Sequence, residues 1–499
     1  MCRTGVGSGV CRRFVGRTLL LFHLLLAGHA DALAQHGVEL SRKPAAAAAR
    51  EKLRALLSRT SDGAVIGLAA AECDSGETWF AHQPDMPLKP ASVMKLFTTA
   101  AALDRFGPDF QYETRVYLRN GELLVLGGGD PGLGDERIAE RRATPLHGEF
   151  DDWAAKLKLR GVVVLRTIAL DDTVFDRRHR CPDWPADQEA AWYQAPVGGL
   201  NFNDNCLDAW FDAANGRVTL HTSPSLPPAF LRNEIKAAAR HKPIAARTPG
   251  RDVFIFRGTA ARDDSFKPIS AARPTVFFGH ALKEALLKRG VALEGQVVRR
   301  KLTREALAEA ELLDVRATSI EETLWRCNTF SQNMFAECLM KSLAAYRPDG
   351  ARSGVPGSWD AGVVVLRETL NGMGVDIAGA VFRDGSGLSH SNRASAAQIT
   401  ALLIRMHRHR CGELFKQSLA RPGKPGTLRK SKWRAPTLRD SLRAKTGTLS
   451  GVRALAGYIQ RPDGDELAFA ILINGATPKN LRVRVASILA SAGADAESP

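Results

Sequence analysis

"KPASVMKLFTTAAALDRFG", residues 89–107, opens on Lys89 and Pro90, sets Ser92 and Lys95 three residues apart, then carries apolar residues at helical spacing to Gly107 and Pro108. A proline at the start and Gly-Pro at the end mark the two limits of a helix. Side chains at i and i+3 share a face, so the Ser92 hydroxyl and the Lys95 amine meet. At a helix N-terminus the dipole and the unpaired N–H groups favour developing negative charge. The pair therefore reads either as a cap beside a surface lysine or as a nucleophile with its base one turn away. An S-x-x-K spacing is weak alone, because it arises by chance about once in a chain this long. What accompanies it decides.

Two later stretches accompany it. "CNTFSQNMFAECLMKSLA" (327–344) places Ser331 and Asn333 just ahead of an amphipathic run, a hydroxyl and an amide two residues apart in a loop or first turn. "LRAKTGTLSG" (442–451) sets Lys445, Thr446 and Gly447 on a strand. Strand interiors disfavour glycine unless a ligand or another backbone comes close. Ser-x-x-Lys, then Ser-x-Asn, then Lys-Thr-Gly, in this order and in these contexts, is the set of motifs of penicillin-interacting serine acyl-transferases.

The N-terminus indicates where such an enzyme works. Arginines at 3, 12, 13 and 17, an apolar run from Leu19 to Ala27 and Ala32-Leu33-Ala34 read as a secretory signal over residues 1–34. The run is too short to span a bilayer, and no later apolar stretch reaches about 20 residues. An exported protein, in the periplasm or cell envelope, is expected. Removing the signal leaves 465 residues, enough for two or three domains. The net charge of +16 becomes +13 once four arginines and Asp31 leave. That balance invites an anionic partner such as the envelope surface, with peripheral association. No arginine-rich helix or RNA-binding aromatic motif points to nucleic acid. Six cysteines remain, and six allow 15 pairings, of which Cys181 with Cys206 is the favoured one. No Cys/His group has zinc spacing, so neither metal nor cofactor is expected.

Patterning places these motifs in a discontinuous α+β domain. A helix over 44–59 leads into strand-like runs at 64–72 and 76–83, followed by the Ser92 helix. From about 112 the texture turns to strands, with an Asn120-Gly121 hairpin, and residues 176–260 are rich in Pro, Asp, Asn, Arg and Trp. Ser319 and Glu322 at capping-box spacing start another helix. The chain closes on three strands (441–449, 452–460, 467–475) joined by turn-like links, an antiparallel meander. Residues 35–111 and 310–499 thus form one domain, split by a β-rich block at 112–309. That block reads as two subdomains, about 112–175 with 260–309, and about 176–259.

The 239 residues between Ser92 and Ser331 exceed the gap of compact β-lactamases. Here the chain resembles the D-alanyl-D-alanine carboxypeptidase/endopeptidases known as class C low-molecular-mass penicillin-binding proteins, whose insertion follows the Ser-x-x-Lys helix. Supporting stretches are "GGGDPGL" (127–133), "DDTVFD" (171–176), "APVGGLNFNDN" (195–205) and "RDGSGLSHSN" (383–392). The resemblance departs at Gln332, where an Asp is frequent, and at Thr329, where a Lys is common.

The resemblance implies a transpeptidase-like domain, an antiparallel sheet with helices on both sides. It also implies acyl transfer from the D-Ala-D-Ala end of peptidoglycan stem peptides, and inhibition by β-lactams. Ser92 would be the nucleophile and Lys95 its base, neutral through burial near Lys445. Ser331 would relay a proton to the leaving amine, and Asn333 would orient Lys95 and bond the substrate peptide. Lys445 and Thr446 would bind the terminal carboxylate. Gly447 lies between them and Thr448, whose N–H shares the oxyanion with that of Ser92. Asp172 would meet a diaminopimelate-type amine, although Asp171 is adjacent and either carboxylate could simply close a turn. "DGSGLS" reads as a loop packed behind the site. A serine β-lactamase shares the three motifs but needs a deacylating base, and no glutamate is assignable to that task. An inactive wall-binding module is the remaining alternative; it conflicts with intact Ser92, Lys95, Ser331 and Lys445. Oligomeric state is not legible.

Overall fold

The computed structural model describes residues 44–59, 63–476 and 478–492. The expected signal, 1–34, lies outside the described residues. Among the described residues no helix is long and apolar enough to cross a membrane.

A five-stranded antiparallel sheet joins the two ends of the chain. Its order is Leu442–Leu449, Val452–Gln460, Glu466–Gly475, Ala64–Glu72, Thr78–His82. The predicted C-terminal meander is present, and its last strand pairs along its whole length with Ala64–Glu72, nearly 400 residues earlier. Both faces are covered, which explains why these strands are almost continuously apolar. In the central strand, Leu467, Phe469, Ile471 and Ile473 enter a core shared with the helices Pro44–Ser58 and Leu481–Ser491. The alternate residues Ala468, Ala470 and Leu472 enter the opposite core. Small side chains on that face admit the helix Ala396–His407, against which Lys95–Phe106 packs, with Asn333–Ala345 beyond it in the same core.

The "KPASVMKLFTTAAALDRFG" stretch folds as a 3₁₀ turn, Ala91–Met94, followed by the α-helix Lys95–Phe106. Gly107 ends it at φ 76°, a conformation that only glycine adopts without strain. Apolar residues surround this helix, and Thr98, Thr99 and Lys95 are buried with them. It is the central helix of its layer, not a surface one.

The intervening segment forms a mixed sheet in the order Val297–Arg299, Thr167–Asp171, Glu122–Leu126, Gln111–Arg119, Glu311–Ser319. The Asn120-Gly121 hairpin is present, with φ 48° and 76° at the turn. Smaller sheets follow: Cys206–Ala214 pairs with Arg217–Ser223, and Leu231–Ala237, Lys242–Arg247 and Phe254–Ala260 form a three-stranded unit. Their apolar faces share one core with the helices Gly148–Leu159 and Pro274–Lys288. Glu311–Ser319 pairs with Gln111–Arg119, so the inserted sheet closes at Ser319 rather than near 309. Ser319 then caps the next helix, its hydroxyl accepting from Glu322 N while the Glu322 carboxylate accepts from Ser319 N.

The cysteine expectation is corrected. Cys73, Cys181, Cys206, Cys327, Cys338 and Cys411 are all free and buried. Cys181 and Cys206 sit in different surroundings: the Cys181 thiol faces Arg383 O at 3.6 Å, and that of Cys206 faces Trp192 O at 4.0 Å. Burial raises both thiol pKa values, which lowers thiolate reactivity. Unfolding the chain lacking residues 1–34 without reductant should expose six titratable thiols in an Ellman assay. Four or fewer would reinstate a disulfide.

Candidate active site

Three segments converge at one end of the Lys95 helix. Ser92 sits in the 3₁₀ turn, and no side chain caps either that turn or the following helix. The capping reading of Ser92 therefore fails. Lys95 is fully buried, and its Nζ lies 3.3 Å from Ser92 Oγ, 2.6 Å from Asn333 Oδ1 and 2.9 Å from Ser386 O. Three oxygens thus account for the donors of an ammonium group. Burial pushes the Lys95 amine down to about 8, against the pull of the acids Glu337 and Asp384. At pH 7 that change raises the neutral fraction from about one in 3,000 to about one in ten.

Lys445 is also fully buried. Its Nζ donates to Ser331 Oγ at 2.8 Å and to Thr446 O at 2.9 Å. Burial, then the positive charge of Lys95, holds it well below the ordinary lysine range. The sequence reading expected burial near Lys445 to depress Lys95. The structure makes burial the first cause for both amines and lets Lys445 feel Lys95 as well. Cys327 stays a thiol between them, pushed up to about 12 by burial.

Asn333 is the first residue of the helix Asn333–Ala345 and spans two parts of the chain. Its Oδ1 accepts from Lys95, while its Nδ2 donates to Tyr193 O at 2.7 Å. Asn333 thus contacts Lys95 directly, and part of its donor capacity goes to the inserted segment. Ser331 holds a left-handed backbone, φ 65°.

Gly447 explains itself by contact. A Cβ there would meet Pro90 O at 2.8 Å and Ala91 Cβ at 3.2 Å, so this strand lies directly against the Ser92 turn. Ser92, Ser331, Asn333, Thr446 and Thr448 line a cavity of about 530 Å³, whose remaining wall includes Gln188, Trp192 and Tyr193 from the insertion and His390. A larger hollow of about 700 Å³, beside Phe110, Glu113 and Arg352, holds none of the motif residues.

The "DGSGLS" loop lies behind the site. Glu337, fully buried one turn after Asn333, accepts from Gly385 N at 2.9 Å, Ser386 N at 2.8 Å and Trp359 Nε1 at 2.7 Å. Asp384 accepts from Gly387 N, Ser389 N, Asn392 Nδ2 and Trp184 Nε1. Burial, then Asp384, raises the Glu337 carboxyl to about 7. These acids fix the loop that presents Ser386 O to Lys95. Glu337 carried no motif, but a lone acid in the apolar run "NMFAECLM" was its available signal.

Asp172 is not in the cavity wall. It is 2% exposed; Oδ2 accepts from Thr275 Oγ1 and from Arg299 Nε at 2.8 Å, and Arg299 Nη2 lies 2.7 Å from Oδ1. With its charge neutralised inside the fold, Asp172 is withdrawn as a ligand for a substrate amine. Asp171 closes a turn through Thr173 N and accepts from Leu302 N. Away from the site, Cys73, His407 and Glu466 bring ligand atoms within 4.8 Å of one another. Lys416 Nζ sits at 2.5 Å from Glu466 Oε2 and 2.8 Å from His407 Nδ1, so an ammonium of the chain already takes the cation position.

An antiparallel sheet between helical layers, with serine and lysine motifs meeting at its edge strand, defines the penicillin-binding class of serine acyl-transferase fold. The chain matches the D-Ala-D-Ala carboxypeptidase 3 (S13) family over residues 49–492 and belongs to it. It is 31% identical to a D-alanyl-D-alanine carboxypeptidase of an Actinomadura species, over 95% of this chain and 88% of that one. It is 22% identical to the D-alanyl-D-alanine carboxypeptidase DacB of Haemophilus influenzae, over 84% and 87%. The crystal structure of penicillin binding protein 4 from Haemophilus influenzae shares the fold: TM-score 0.70, 21% identity, 87% of this chain and 97% of that one.

Gly447→Ala should push the strand from the Ser92 turn. The overpacking costs about 1–3 kcal/mol, so the thermal midpoint should fall by a few degrees. An unchanged midpoint would contradict the contact.

Proposed function

We propose that this chain is a serine D-Ala-D-Ala carboxypeptidase that cleaves the terminal D-Ala-D-Ala bond of peptidoglycan stem peptides through an acyl-enzyme on Ser92, with DD-endopeptidase action on cross-links at the same site. The observation that carries this reading is the buried Lys95 amine beside Ser92 Oγ, its depressed pKa giving it a neutral fraction at working pH. Neutral Lys95 takes the Ser92 proton as Oγ attacks the carbonyl. The N–H groups of Ser92 and Thr448 hold the oxyanion, each such donor contributing about 3 kcal/mol to the transition state. As the C–N bond breaks, Ser331, bonded to Lys445, relays the proton held by Lys95 to the leaving nitrogen, so D-alanine departs as the amine and Lys95 is neutral again. Thr446 and Lys445 receive the terminal carboxylate. Water then hydrolyses the ester on Ser92.

A β-lactam offers the same carbonyl, and a relative, Haemophilus influenzae penicillin binding protein 4, is known in complex with one. Peptidoglycan stem peptides and β-lactams are the partners we infer, and export to the periplasm or envelope follows from the sequence over residues 1–34. The catalytic domain is assigned to residues before about 111 and after about 319, with the block between them walling the cavity.

Three measurements test the mechanism. A fluorescent penicillin should label the wild type covalently and leave Ser92→Ala unlabelled; label on Ser92→Ala would remove Ser92 from the chemistry. Lys95→Arg keeps the charge but cannot act as a base, so acylation should stop, whereas Lys445→Arg should retain part of it. The opposite ranking would reassign the base. The pH profile has a defined sign: protonation inactivates a base whose pKa is lowered. The acylation rate should therefore fall about tenfold per unit below an apparent pKa near 8, a value belonging to the lysine pair. A rate independent of pH between 6 and 8 would exclude Lys95. Products from stem monomers and cross-linked dimers, read by mass spectrometry, separate carboxypeptidase from endopeptidase action.

A further inference from the structure

We propose that Asp204, contributed by the inserted segment, is a positioning residue for Ser331, acting through the Gln332 side chain. The inference rests on the acyl-transfer reading, in which Ser331 relays a proton, and adds a component that no motif covers.

Ser331 is a non-glycine residue at φ 65°. Such a conformation is costly and persists only where the surroundings hold it. The next residue supplies that hold. Gln332, 7% exposed, is clamped at both ends of its amide: Oε1 accepts from Asn333 N at 2.9 Å, and Nε2 donates to Asp204 Oδ2 at 2.5 Å. The clamp thus joins the first N–H of the Asn333 helix to the insertion, immediately beside the Ser331 hydroxyl that meets Lys445.

The far side of the clamp is rigid. Asp204 is itself left-handed, φ 54°, between Asn203 and Asn205, both at φ 51°. Asn205 locks this turn by donating to Pro196 O at 2.8 Å and accepting from Phe202 N at 3.1 Å. Asn203 adds donors to Cys206 O at 2.8 Å and Asp208 Oδ2 at 2.9 Å. Arg326, from the helix preceding Ser331, donates to Asp204 Oδ2 at 3.0 Å and twice to Asp135 Oδ2, at 2.8 and 2.6 Å. Two left-handed turns therefore face each other, tied by one amide–carboxylate bond, while the Arg326 guanidinium holds Asp204 and Asp135 together. Asp204 is absent from the wall of the Ser92 cavity. It acts through Gln332 and does not touch substrate.

The same geometry accounts for the amide at position 332. An acid there would set a carboxylate against Asp204, with Asp135 close by and Arg326 as the cation facing all three. Burial and Asp135 already raise the Asp204 carboxyl.

The test is a charge-swap cycle on the chain lacking residues 1–34, read as the first-order acylation constant and the dissociation constant for a fluorescent penicillin. Gln332→Glu is isosteric and repulsive; it should lower the acylation constant by about tenfold or more, with little change in binding. Asp204→Asn keeps an acceptor and should stay within about threefold of wild type. The double variant Gln332→Glu/Asp204→Asn restores a donor facing an acceptor and should return to within about threefold. Thermal unfolding of each variant separates lost acylation from lost fold. Should Gln332→Glu not fold, Asp204→Ala takes its place: it deletes the acceptor, so a tenfold loss in acylation is expected. Acylation by Gln332→Glu at the wild-type rate, or a folded double variant no faster than Gln332→Glu, overturns the clamp; so does wild-type acylation by Asp204→Ala. Failure of the wild type to label at all would instead overturn the acyl-enzyme reading.

Discussion

The structure depends on one expensive act, the complete burial of the Lys95 amine. A lysine at a protein surface stays charged and useless as a base, while one buried without partners is strongly destabilising. Lys95 lies between these limits. Burial drives its pKa down, and the acids Glu337 and Asp384 pull it back up. Oxygens from Ser92, Asn333 and Ser386 satisfy its donors in the charged state. The amine is thus free to exchange a proton near neutrality without leaving a donor unpartnered.

That requirement shapes the surrounding fold. Three oxygens must reach one nitrogen from its own 3₁₀ turn and from a helix start and a loop that lie 238 and 291 residues further along the chain. Close approach of backbones makes this possible. Gly447 lets the edge strand lie on the Ser92 turn, and Gly387, where a Cβ would meet Ala91 O at 1.9 Å, lets the loop do so from the other side. The alanine-rich face of the sheet performs the same task on a larger scale, seating the helix Ala396–His407 close to the strands.

The parts legible in the sequence are those in which chemistry dictates side-chain type. The three motifs set serines, lysines and an amide at fixed spacings, so Ser92, Lys95, Ser331, Asn333 and Lys445 stood out, and they meet in space. The meander and the Ser319 capping box were legible because their pairing is local. Long-range pairing was not. Asp172 looked available until Arg299, 127 residues later, was seen to neutralise it. Glu311–Ser319 looked like the return of the catalytic domain until its partner proved to be Gln111–Arg119. Tyr193 contributes a backbone carbonyl to Asn333, and a carbonyl is offered by every residue, so no motif marks it.

This last point bears on what the insertion does. Had the block at 112–319 been a separate module on a finished active site, the catalytic residues would find their partners within the catalytic segments. Asn333 instead donates its amide to Tyr193, and Gln332 donates its amide to Asp204. Trp192, Tyr193 and Gln188 supply one wall of the cavity, and Trp184 donates to the acid that shapes the Ser386 loop. Each contact closes the edge of a site in which the Lys95 amine is fully buried. The inserted block is therefore part of the surroundings of this site, and it reaches the site mainly through the residues following Ser331 rather than by direct contact with the lysine.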